Sequence, residues 1–135
     1  MTYDSLAADR DLIAILRKRS RAVVCDASGI LFRQGDTPEG IHLLESGEAV
    51  LAMVSHTGET VLCVHAGPGS LLGLPALLAD EPYTLTAQIR EGSKVRLIAR
   101  TDFNDLIKKD AVSCRKVLTL VAAEVGEARR AFFRA

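Results

Sequence analysis

The sequence predicts a mainly β domain with flanking helices, and three observations carry that prediction. Short apolar and β-branched runs recur between Ala22 and Ala99, punctuated by glycine. After Asp110 a long run keeps unbroken helical spacing. Between them lies Gly67–Ala87, GPGSLLGLPALLADEPYTLTA, which opens on glycines and a proline, passes through a short apolar run, breaks at Asp80-Glu81-Pro82 and resumes as a threonine-rich segment. An insertion of this kind in a β-rich chain lines a pocket.

With 135 residues the chain is long enough for one domain with a real core and too short for two. Nearly half of the residues are apolar and a quarter are charged, a globular composition. Seventeen basic residues balance seventeen acidic ones, so no bulk charge draws the chain to nucleic acid or to an anionic membrane. No apolar run approaches the ~20 residues of a membrane-spanning helix. The start, MTYDSLAADRDLI, lacks the apolar core of a secretory signal, and a cytoplasmic location is the expectation. Cys25, Cys63 and Cys114 are scattered, which argues against a disulfide framework or a paired-cysteine metal site, and all three read as small buried residues.

Along the chain, Ser5 to about Arg19 has helical spacing, with Leu6, Ile13 and Leu16 on one face and Asp4 or Ser5 as the cap. The basic run Arg17–Arg21 reads as cations at a helix end on a solvated face, with a nucleic-acid patch as the other reading. Strands are predicted at Ala22–Ala27, Ile30–Arg33, Ile41–Leu44, Glu48–Ser55, Thr60–His65 and Lys94–Ala99. The fourth is apolar on both sides, as for a strand covered on both faces or one at a subunit contact. His56-Thr57-Gly58-Glu59 is a hairpin loop.

The last third predicts two helices. Thr101 or Asp102 caps the first and Asp110 the second, which runs to about Arg134. Ala111, Cys114, Leu118, Val121, Val125, Ala128 and Phe132 recur at alternating spacings of three and four, a heptad seam that Val117 and Leu120 broaden. The helix packs on its own barrel or pairs with its twin; the length of the seam favours a homodimer.

Element order and several motifs together give a resemblance. ILFRQGD at Ile30–Asp36, LLESGEAVLAMV at Leu43–Val54, GPGSLLG at Gly67–Gly73 and the closing helix pair are similar to the cyclic nucleotide-binding domain of the catabolite activator and FNR regulators. The resemblance spans almost the whole chain. It implies a double-stranded β-helix, or jelly roll (22–100), between an N-terminal helix (1–21) and C-terminal helices (101–135), with Gly67–Ala87 as the ligand cassette.

In that family the cassette holds a cyclic phosphate. A Gly-Glu step, a short helix and an arginine with a neighbouring hydroxyl residue supply the donors and the carboxylate. Here the resemblance places Gly73 at the glycine, Leu74 at the carboxylate, Pro75 in the short helix, Tyr83 at the arginine and Thr84 at the hydroxyl residue. Leu72 and Ala76 complete the set. The resemblance further implies a pocket lid of Val121, Val125 and Ala128 on the last helix, and places Ala128 and Arg129 at the family's base-contacting Thr-Ser pair. The scaffold is kept and the two strongest anchors are absent, so the expectation is weak or no binding of cyclic AMP or cyclic GMP.

Leu71, Leu72, Leu74, Leu77 and Leu78 make the cassette apolar, which suits a small, weakly polar effector, or else a collapsed core. Regulators of this family continue into a helix-turn-helix domain, whereas this sequence stops at Ala135, so no DNA-reading element is expected in it and transcriptional control would need a partner or a further domain. The function expected is a non-enzymatic sensor, with a dimerisation or interaction domain as the alternative. A cupin-type metalloenzyme ranks last, because His42, His56 and His65 form no H-x-H pair. No cofactor is implied, and the N-terminal cysteine group of an iron–sulfur sensor is missing.

Overall fold

Two sheets share one buried interior in the computed structural model, which describes residues 1–135. The strands are β1 (Thr2–Asp4), β2 (Ser20–Val23), β3 (Ile30–Phe32), β4 (Gly40–Ser46), β5 (Ala49–Val54), β6 (Thr60–Ala66), β7 (Leu71–Leu72), β8 (Thr86–Ile89) and β9 (Lys94–Ala99). The helices are α1 (Arg10–Lys18), α2 (Leu74–Ala79), α3 (Arg100–Lys109) and α4 (Ala111–Arg134). One sheet runs β1-β6-β5-β8-β3 and the other β2-β9-β4-β7. This is the jelly roll with flanking helices that the sequence leads one to expect.

Alternation along the strands builds two cores. Phe32, Leu44, Leu51, Val64, Leu72, Ala87 and Val95 come from both sheets and fill the space between them. On β4 the alternate residues Ile41 and Leu43 point the other way, into a second core with Leu12 and Leu16 of α1, Phe103 of α3 and Val117 and Leu120 of α4. That is why β4 is buried on both faces. On β5 the reading is corrected for the single chain: Ala49 and Leu51 are buried, while Val50 and Val54 face outward and stay 39% and 37% exposed.

The N-terminus departs most from expectation. Thr2–Asp4 is a strand, paired in parallel with Cys63–His65 of β6. α1 therefore starts at Arg10 rather than Ser5, and its cap is Asp9, whose carboxylate accepts from Leu12 N at 2.8 Å. The backbone of Ser5 and of Ala8 is bonded to His65 O and Gly69 O, which holds this stretch extended against the barrel. β2 also sits earlier than expected, because its register against β9 runs from Ser20↔Ile98 to Val23↔Val95.

α3 has no side-chain cap; Ala99 precedes it directly, because β9 runs into the helix without a turn. Asp110 does cap α4, accepting from Val112 N and Ser113 N at 3.1 and 3.2 Å. The stripe of α4 that faces its own domain is Ser113, Val117, Leu120, Glu124 and Ala131. Leu118, Val125 and Phe132 of the heptad seam are 57%, 45% and 69% exposed, and Cys114, Val121 and Ala128 are half-buried at its edge.

Candidate functional site

The cassette begins where β7 ends. Gly73 takes the left-handed conformation, φ +86°, that turns β7 into α2. A Cβ there would stand 2.7 Å from Tyr83 Cε1, so the position also needs the missing side chain. Pro75 sits in the first turn of α2, where its lack of an N–H is harmless. The helix ends on Asp80, left-handed at φ +55°, whose carboxylate pairs with Arg100 at the start of α3. The cassette is thereby tied to the C-terminal helices.

The chain returns through Tyr83. Its ring stacks on Phe32, centroids 3.8 Å apart and planes 16° off parallel, and its hydroxyl donates to Gly40 O at 3.3 Å. Burial pushes the phenol up to about 12, so it stays protonated and neutral at physiological pH. His42 lies beside the same stack, 5.5 Å from the Phe32 ring, with Nδ1 buried and unpartnered. Burial first, and repulsion from Arg21 second, lower its pKa to about 4, so this imidazole is neutral.

Behind the stack is a cavity of about 60 Å³. Of the residues singled out in the sequence, Leu72, Gly73, Pro75, Ala76, Tyr83 and Thr84 line it. Leu74 does not; it is 3% exposed and turned into the helix-side core. Nor do Val121, Val125 and Ala128 line it: the residue α4 contributes is Glu124. Its Oε1 accepts from Ser5 Oγ at 2.8 Å and Leu6 N at 3.2 Å, and burial holds its carboxyl above the ordinary carboxylate range.

Tyr3, Ser5, Phe32 and Glu124 were not anticipated as lining residues. Tyr3 and Ser5 arrive through the β1–β6 pairing, which joins residues some sixty positions apart. Glu124 did leave a sign: it lies four residues after Leu120 on the inward stripe of α4, an acid where an apolar residue belongs.

The cavity is far smaller than the 300 Å³ or so at which small-molecule sites usually begin. It contains no basic side chain. A phosphate placed there would find an aromatic ring and a carboxylate instead of a guanidinium, and leaving an anion without a cationic partner in a buried site is the expensive case. The three histidines do not converge, and no group of three or more potential metal ligands exists. A larger concavity, about 760 Å³, lies between Leu6–Leu12 and α4, open to solvent and lined by Leu6, Leu12, Val112, Leu120, Arg115 and Lys116 among others.

Residues 23–110 match the family model of the cyclic nucleotide-binding domain. The chain belongs to that family. This cyclic nucleotide-binding domain is 30% identical over 112 residues to a cAMP-dependent protein kinase regulatory subunit of Blumeria graminis, and 24% identical over 113 residues to that of Blastocladiella emersonii. Each match covers 78% of this chain and 28% of the relative, so the chain corresponds to under a third of those proteins. Among solved structures, the catabolite activator protein of Thermus thermophilus superposes with a TM-score of 0.75 at 21% identity, covering 92% of this chain and 58% of that one. The N-terminal domain of a transcriptional regulator from Streptomyces coelicolor A3(2) gives 0.67 at 22%, covering 93% and 87%. These two likenesses establish the shared fold. The relatives that define the family here are regulatory proteins, and no helix of the chain is long and apolar enough to cross a membrane.

Proposed function

We propose that this chain is a non-enzymatic regulatory domain whose cassette has lost high-affinity cyclic nucleotide binding and answers to a smaller effector. One observation carries the reading: the cassette cavity, walled by Tyr83 stacked on Phe32, is about 60 Å³ and has no basic group, and the resemblance assigns Tyr83 to the family's phosphate-binding arginine. Isothermal titration of the protein with cyclic AMP and cyclic GMP tests it. No saturable heat at micromolar to high-micromolar ligand is the expected result; a micromolar or tighter constant overturns the proposal.

A homodimer through α4 belongs to the same proposal. Leu118, Val125 and Phe132 form an exposed apolar line along a helix of 24 residues, and Phe133 beside it is 88% exposed. Apolar residues recurring at heptad spacing on a solvent face are what a helix–helix partner covers. Regulation passes, in this reading, from the cassette through α3 and α4 to a partner protein or to a further domain, in the cytoplasm.

The second reading is a dimerisation or interaction domain that takes no small molecule. The small volume of the cavity supports it as well. A screen of small effectors by thermal unfolding separates the two, since a ligand that binds the native state raises the melting temperature by mass action.

A further inference from the structure

Glu124 is the one charged residue lining the cassette cavity. It stands in the middle of α4, half-buried, and no lysine or arginine forms an ion pair with it. Both hydrogen bonds it accepts fall on Oε1; no protein group bonds Oε2. The other polar groups of the lining are neutral: the hydroxyls of Ser5 and Thr84 and the phenols of Tyr3 and Tyr83. The remaining walls are apolar or aromatic, with Phe32 against Tyr83.

This arrangement reverses the charge that a phosphate site needs. An anion entering the cavity meets a carboxylate in a poorly solvated place, where repulsion is weakly screened. A cation entering it supplies the counter-charge that Glu124 lacks and finds aromatic rings beside it, the setting in which proteins hold alkylammonium groups. We propose that the cavity selects a small organic cation, an alkylammonium ion, with the Glu124 carboxylate as its anchor. The inference rests on the reading of the cassette as an effector site and names the chemical class of the effector. The size limit is about five heavy atoms for a space of this volume. The anchor also ties α4 to Ser5 and Leu6, so an occupant bears directly on how the long helix is seated.

Three probes of about five heavy atoms each isolate charge from size: tetramethylammonium, tert-butanol and inorganic phosphate. Each is titrated into the full chain at constant ionic strength, following the backbone amide resonances of Gly73, Thr84 and Glu124. Saturable shifts with tetramethylammonium, at least tenfold tighter than with tert-butanol, and none with phosphate, are expected. Glu124→Gln keeps an oxygen for Ser5 and Leu6 and so keeps the fold, which circular dichroism checks; it is expected to weaken tetramethylammonium at least tenfold and to leave tert-butanol unchanged. If tert-butanol or phosphate shifts these amides as well as the cation does, or Glu124→Gln binds the cation like the parent, the charge assignment is overturned while the effector site stands. If none of the three perturbs them, the effector site falls and the assignment with it.

Discussion

The ring of Tyr83 lies 3.8 Å from that of Phe32 and almost parallel to it, and Gly73 packs so close to its edge that a Cβ there would force the two apart. Three segments of the cassette region are thereby locked around one side chain. The site is a packed interior as much as a pocket.

Truncating this ring should therefore weaken the fold before it opens a site. Tyr83→Ala is expected to cost roughly 3–5 kcal/mol, the range for removing a buried aromatic. Tyr83→Phe loses only the bond to Gly40 O and should cost about 1 kcal/mol. Urea denaturation of both variants checks the pair; equal losses would show that the hydroxyl, not the ring, matters.

Gly73→Ala meets two obstacles at once, the left-handed backbone and the Tyr83 edge. A loss of about 1–3 kcal/mol is expected. Gly35, also left-handed but with open space around its missing Cβ, is the control: Gly35→Ala should carry the backbone cost alone. Chemical denaturation of the two variants should separate them by the steric share.

Stability should fall as pH drops from about 6.5 to about 4, because His42 stays neutral in the folded state and charges readily in the unfolded one. The unfolded chain binds the extra proton in this window, so acid favours unfolding. The loss approaches roughly 3 kcal/mol at the acid end. Glu124, with its raised carboxyl, acts in the opposite sense, so the comparison is with His42→Phe, whose profile should be flatter than the parent's by that amount. Asp9, Asp26, Asp105 and Asp110, all held below their ordinary value of 3.8, add their losses only at still lower pH.

Charges placed on the exposed line of α4 should abolish self-association without unfolding the domain. Leu118→Glu with Val125→Glu is expected to convert a dimer to a monomer in light scattering, with an unchanged circular dichroism spectrum, since both side chains face solvent in the single chain. A parent that is already monomeric at high micromolar concentration would remove the dimer from the proposal.

Much of the architecture was legible in local sequence. β9 keeps the bounds that its pattern predicts, Lys94–Ala99, and Asp110 marks the start of α4 because an Asp before a helical run has one obvious use. The cassette was legible through Gly73 and Pro75, whose backbone limits leave few alternatives. β1 was not, because three residues carry no periodicity and their partner is Cys63–His65. Nor was the direction of α4: its inward stripe, Ser113–Val117–Leu120–Glu124, and its outward one, Leu118–Val125–Phe132, are both apolar enough to face a core.

By itself, then, the sequence determined the order of the elements, the turn at Gly73 and the absence of a basic residue at Tyr83, because those depend on backbone limits and residue identity. The tertiary structure decided what surrounds them. Strand pairing across the chain brought Tyr3 and Ser5 to the cavity, and the docking of α4 turned Glu124 toward it rather than Val121 or Val125. The volume left behind Tyr83 and the sign of the charge facing it are properties of non-local packing, since they are set by side chains that no local pattern brings together.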